Sequence, residues 1–251
     1  MIKIQTISEM EQDNQHSPTL YLMPSTMSDA SRPDDVLPER NRQVALSVRH
    51  YIVENVRTAR RFLRRWCGRD IDIDSLTFYT LDEHTRPGEL HEMLEPLAAG
   101  HDMAVISEAG CPAVADPGAD IVAVAQQRGV KVVPLVGPSS ILMSLMASGF
   151  NGQSFAFVGY LPVDAHRRAA CLRQMERRIA NEGQTQIFIE TPYRNNRLIA
   201  DIVQTLPGVL KLCVARDITG PEESIVTLTL EQWRSRDYDY GKVPVIFLLY
   251  K

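Results

Sequence analysis

Between residues 19 and 135, short apolar runs alternate strictly with segments of helical periodicity, and this alternation limits the possible folds more than any other feature. The strand-like runs are 19–23, 51–53, 76–80, 103–106 and 130–135, and the helical patterns are 39–47, 57–66, 89–97 and 119–127. Strand, helix, strand is the repeating unit of a parallel sheet with crossover helices, so this stretch predicts an α/β lobe with a mostly parallel sheet. Residues 24–38, rich in Ser, Asp and Pro, read as a loop running into the first helix. Beyond Pro138 the alternation continues through a helix at 139–147, a strand at 155–158, a charged helix at 165–181, a strand at 186–190 and a helix at 195–206. It then gives way to strands at 211–215, 224–229 and 245–250, the first two close enough to pair antiparallel. The expected organisation is a mobile polar arm at 1–17, an N-terminal α/β domain at 18–137, and a C-terminal α/β domain with a mixed sheet at 138–251.

Composition excludes several classes. No run reaches the roughly eighteen consecutive apolar residues of a membrane span, and the opening MIKIQTISEMEQDNQHS lacks the basic and then apolar order of a signal peptide. A soluble, cytoplasmic protein is expected. Cys67, Cys111, Cys171 and Cys213 stand far apart with no CxxC spacing, which argues against a zinc site or a disulfide framework, and no metal is expected. The formal charge of −4 argues against a generally basic, nucleic-acid-coating surface. A local basic patch remains open, because RTARRFLRRW places Ala59, Phe62, Leu63 and Trp66 on one helical face and Arg57, Arg60, Arg61, Arg64 and Arg65 on the other. Such a stripe is either a solvated surface or a set of phosphate contacts.

Two loops carry the strongest functional signal. ISEAGCPAVADPG (residues 106–118) and VVPLVGPSS (residues 132–140) each begin where an apolar run stops and each lead into a helical pattern, so both read as strand-to-helix turns at the carboxyl edge of a sheet. Small residues there let a ligand approach the backbone, and ligands of open α/β sheets collect at that edge. Ordinary turns whose Gly and Pro only set the chain direction give the same spacing. Neither loop is a GxGxxG fingerprint or a Walker A loop, since the glycine spacing fails and no Lys-Ser/Thr pair follows.

Taken in order with ASGF, FVGYLP, IETPYR and the stretch 216–223, these motifs resemble the tetrapyrrole methylase superfamily, and within it the branch that 2′-O-methylates a cytidine of small-subunit ribosomal RNA. The similarity runs from Thr19 onward. It implies two α/β lobes with S-adenosyl-L-methionine bound in the cleft between them, a homodimer, and ribosomal or other structured RNA as partner. The positions matching the superfamily's cofactor site are Pro24, Gly110, Cys111, Val114, Ser139, Ser140, Thr191, Pro192, Ala215, Arg216 and Pro244. Singly, each also has a structural reading: the prolines end strands, and Ser139 caps a helix. Methyl transfer to a ribose hydroxyl is helped by a group that takes its proton. Candidates are Glu54 and Arg57 in VENVR, which resembles the branch's Glu-Asp-Thr-Arg, and Glu83 with His84 in LDEHT, which resembles its Glu-His-Asn. A lone Glu or His is also commonly a surface or capping group.

Departures fall on the acceptor side. The branch's first loop, Pro-Thr-Pro-Ile-Gly-Asn, is here PSTMSD without the glycine, and Asn55 and Val56 replace the Asp and Thr of the second motif. That is the pattern of a divergent paralogue. Three readings follow: a methyltransferase acting on RNA 2′-hydroxyls, a methyltransferase acting on a small acceptor such as a tetrapyrrole, and a non-catalytic module that keeps the cofactor pocket and binds RNA or a partner.

Overall fold

The computed structural model describes residues 17–251 except residue 83. The expected arm therefore lies, but for Ser17, outside the described residues, as does Glu83. The described residues divide into two compact units, residues 17–25 with 37–137 and residues 26–36 with 138–251. Residues 26–36, which the sequence assigns to the first lobe, belong to the second unit.

The first unit is an α/β layer structure around strands β1 (Thr19–Met23), β2 (His50–Val53), β3 (Thr77–Thr80), β4 (Met103–Ile106) and β5 (Lys131–Pro134). Their order is β3-β2-β4-β1-β5, and every neighbouring pair among them is parallel. Helices α2 (Glu39–Ser47), α3 (Val56–Cys67), α4 (Pro87–Met93), α5 (Glu95–Ala98) and α6 (Gly118–Gln127) fill the crossovers. One core joins Leu20, Ile52, Met103 and Val105 of the sheet to Leu90, Leu94, Leu97 and Ile121 of the helices. The continuous helix expected at 89–97 breaks at Leu94, because Pro96 has no N–H to give the carbonyl of Glu92 and its ring crowds that turn.

The second unit begins with α1 (Pro33–Val36), a single turn inside the segment expected to be loop, and then holds β6 (Phe155–Tyr160), β7 (Thr185–Ile189), β8 (Lys211–Arg216), β9 (Ser224–Thr229) and β10 (Val245–Tyr250). The order β6-β7-β10-β8-β9 contains one parallel pair, β6 with β7, and three antiparallel ones, which is the expected mixed sheet. Successive strand residues face opposite sides. Phe247 and Leu249 join the core under α8 (Ala165–Glu182) and α9 (Asn195–Thr205), while Ile246 and Leu248 join the core beneath α7 (Ser140–Ser148). Met27 packs on that second core, which explains why its segment groups with this unit. The sequence reading omits α10 (Leu230–Arg234), although Thr229 and Gln232 form the reciprocal box that starts it. Among the described residues, no helix is long and apolar enough to cross a membrane.

Candidate functional site

The carboxyl edge of the first unit's sheet has a switch in chain direction. From β2 the chain passes outward to β3, whereas from its neighbour β4 it passes the other way, beyond β1, to β5. Loops diverging from adjacent strands open a crevice, and ligands of open α/β sheets bind there. Glu54 directly follows β2 and Ser107 directly follows β4. The Glu108 backbone N–H donates to Glu54 Oε1 at 3.1 Å and so fixes the carboxylate at this point. Around it lies an open depression of about 740 Å³ lined by Glu54, Asn55, Asp82, Glu108, Ala115, Asp116 and Pro117.

The electrostatics of this place follow from its acidity. Burial pushes the Glu54 carboxyl up from its ordinary value, the Asp116 and Glu108 charges add to the rise, and the Glu108 amide opposes it. Asp116 is also raised by burial, against two amides that favour its charged form: Ala113 N at 2.9 Å and Gly118 N at 2.7 Å, both donating to Oδ1. Its Oδ2 is buried with no hydrogen-bond partner among the described residues. Sequence reasoning passed over Asp82, Glu108 and Asp116. For Asp116 a signal existed, since an Asp two residues before Gly118 in ADPG is an Asx-turn pattern.

The small-residue loop is held in an unusual shape. Gly110, Ala113 and Ala115 all have positive φ, at 72°, 65° and 63°. For the two alanines that conformation costs on the order of 1 kcal/mol each. Gly110 O accepts hydrogen bonds from Ser25 N at 3.0 Å and Ser107 Oγ at 3.3 Å, tying the loop after β1 to the loop after β4. Cys111 Sγ lies 3.8 Å from Gly137 O, which brings in the loop after β5, and burial keeps that thiol protonated. Pro24 completes the lacing: a Cβ at position 137 would sit 2.3 Å from the Pro24 Cβ, so only glycine fits there. Pro24, Gly110 and Cys111 thus converge on one edge, with Val114 half-exposed beside them.

In the second unit five further cofactor candidates gather at one sheet edge. Thr191 and Pro192 follow β7, Ala215 and Arg216 end β8, and Pro244 precedes β10, which runs antiparallel to both. Pro192 O accepts from Lys242 N and Pro244 O from Asp217 N, which tether these turns. Arg216 pairs with Glu222 at 3.0 Å, while its Nε is buried without a partner among the described residues. Ser139 caps α7, its Oγ accepting from Leu142 N at 3.4 Å, and Ser140 O accepts from Ser144 Oγ.

Of the other catalytic candidates, Arg57 and His84 are exposed and are not among the described residues lining the depression. The His84 amide belongs instead to a turn closed by Asp82 Oδ1 at 2.9 Å. On α3 the apolar stripe is buried as the periodicity requires. Arg60 is ion-paired with Asp74 and Arg64 donates to the carbonyls of Gly68 and Ile71, so part of the basic stripe serves the local fold. Arg61 and Arg65 are exposed.

Comparison with known proteins agrees with this architecture. Residues 50–233 match the family model of the tetrapyrrole (corrin/porphyrin) methylases. A ribosomal RNA small subunit methyltransferase I of Vibrio cholerae is 30% identical over 237 residues, covering 93% of this chain and 77% of that protein. Its namesake in Pasteurella multocida is 34% identical over 175 residues, covering 68% of this chain and 61% of that protein. Among solved structures, the methyltransferase CobJ superposes with a TM-score of 0.60 at 18% identity, covering 93% of both chains. The uroporphyrin-III C-methyltransferase of Thermus thermophilus in complex with S-adenosylhomocysteine gives 0.54 at 16% identity, covering 93% of this chain and 97% of that one. The chain therefore belongs to the tetrapyrrole methylase family.

Proposed function

We propose that this methyltransferase transfers the methyl group of S-adenosylmethionine to a ribose 2′-hydroxyl of ribosomal or other structured RNA, with Glu54 taking the hydroxyl proton. The observation that carries the reading is the fixed carboxylate of Glu54 at the directional switch of the first sheet, beside an open depression. The residues fit the donor's chemistry: acidic groups suit a sulfonium cation and ribose hydroxyls, and the Gly110 to Ala115 loop admits close approach to backbone. When bound, S-adenosylmethionine supplies an electrophilic methyl group. Burial raises the Glu54 carboxyl and so makes its carboxylate a stronger base than an ordinary one, which suits it to accept a proton as the oxygen–carbon bond forms. The relatives' names support the RNA acceptor, and a homodimeric, cytoplasmic state rests on the family resemblance alone. The basic face of α3, with Arg57, Arg61 and Arg65 at its exposed side, is the proposed phosphate contact.

The test is methyl incorporation from labelled S-adenosylmethionine into deproteinised small-subunit ribosomal RNA and, in parallel, into a small-molecule extract containing tetrapyrroles. Label recovered as a 2′-O-methylated nucleoside is expected. Label only in the small-molecule fraction overturns the RNA acceptor, and donor binding without any transfer overturns the catalytic reading.

A further inference from the structure

The second unit has a cavity of its own, lined by none of the carboxylates described above. It measures about 360 Å³ and is lined by Val163, Arg168, Glu190, Arg194, Arg197 and Leu198 among others. That volume falls within the range of ligand pockets, roughly 300–1,000 Å³. Three guanidinium groups line it, Arg194 paired with Glu190 and both Arg168 and Arg197 paired with Asp201, and they are not equivalent. Arg168 is a strut: it is 8% exposed, its Nη1 donates to the carbonyls of Pro162 and Val163, and its Nε donates to Asp201 at 2.9 Å. Glu190, 2% exposed, holds Arg194 through Oε1, which accepts from Nε at 3.0 Å and also from the Thr191 amide. This leaves Nη1 of Arg194 without a partner among the described residues.

Arg197 is the outlier. Its side chain is 71% exposed, Nε alone reaches Asp201 at 3.2 Å, and neither terminal nitrogen has a partner among the described residues. Two terminal N–H groups of one guanidinium match two phosphate oxygens. Helices α8 and α9 both begin at the rim, so the positive ends of their dipoles add to the same field. Next to Arg194 in the chain, the Tyr193 ring stands 83% exposed, where a polar-tipped aromatic gains nothing from burial in the fold. Exposed aromatic rings beside arginines are the combination that holds single-stranded RNA, the ring stacking on a base and the cation on the backbone.

We infer that this cavity is a second RNA-contact site, in which Arg197 and Arg194 hold a phosphodiester of the acceptor strand and Tyr193 stacks on a flanking base. The inference rests on the RNA-acceptor reading and gives that acceptor an unpaired segment. Arg168, Glu190 and Asp201 form the rigid floor that sets the two phosphate-facing guanidiniums apart from ordinary surface arginines.

The experiment is filter binding of radiolabelled, deproteinised small-subunit ribosomal RNA over a salt series, with calorimetric titration of S-adenosylmethionine alongside. Arg197→Ala, Arg197→Lys and Tyr193→Ala change exposed side chains and spare the buried floor. In Arg197→Ala the affinity is expected to fall about three- to tenfold, and the slope of log affinity against log salt to flatten by about one, with Arg197→Lys restoring the slope. Tyr193→Ala is expected to weaken binding about fivefold or more with the slope intact, because stacking releases no counterions. Cofactor affinity stays at the wild-type value in all three. Wild-type RNA affinity and slope in Arg197→Ala and Tyr193→Ala overturn the site while leaving the RNA acceptor standing. A joint loss of cofactor and RNA affinity reassigns the residues to local structure and overturns it as well. Failure of the wild-type protein to bind the RNA removes the acceptor reading and this inference with it.

Discussion

At the scale of single residues, the role proposed for Glu54 conflicts with stability. Burial raises its carboxyl, so the proton binds more tightly in the folded chain than in the unfolded one. That tighter binding contributes stability fully below the unfolded pKa and is lost as pH rises through the higher folded pKa. Glu54→Gln keeps an oxygen for the Glu108 amide and removes the titration. The variant is therefore expected to melt at or above the wild-type temperature at neutral pH, and the difference should vanish in acid. Its methyl-transfer rate should fall by about a hundredfold or more, the usual effect of removing a proton acceptor. Wild-type rates with saturating cofactor would show that positioning alone carries the reaction. Glu54 was legible because its motif resembled one already known. Asp116 and Glu108 were not, since their importance arises from loops that meet only once β2 and β4 are adjacent, and no local pattern records that adjacency.

At the scale of elements, α3 is the clearest case of sequence dictating structure. Ala59, Phe62, Leu63 and Trp66 recur at helical spacing and are all buried, and Gly68 closes the helix with a positive φ of 60°. Its start explains an apparent loss in the motif. Asn55 replaces the Asp expected there, yet its side chain accepts from Thr58 N at 3.1 Å and caps the helix, a role in which Asn and Asp are about equal. Asn55→Ala is expected to cost about 1 kcal/mol in unfolding free energy, whereas Asn55→Asp should stay within a few tenths, as thermal or urea denaturation would measure. Elements of regular periodicity were read to within a residue or two, as with β4, β9 and β10. The single-turn elements α1, α5 and α10 escaped because a period of 3.6 cannot be seen in four or five residues, and only caps or prolines reveal them.

At the scale of the whole molecule, the two units have separate cores, and a ligand bound at the proposed site on the directional switch would stabilise the folded state by mass action. S-adenosylmethionine at a hundredfold excess over its dissociation constant should add about 2.7 kcal/mol, a rise of several degrees in melting temperature for a chain of this size. No shift in a calorimetric scan would remove the donor from this protein. The strand order of the second sheet also bears on how the protein comes into being. β10 lies between β7 and β8, so both wait with open edges while the ribosome adds the residues that join them. Residues 26–36, synthesised early, must wait longer still for the core on which Met27 packs. The first sheet has all five strands once residue 134 has emerged and can close by then. Assembly during translation is thus sequential, and between residues 185 and 245 the nascent chain displays unpaired apolar strands, the interval in which chaperone protection matters most.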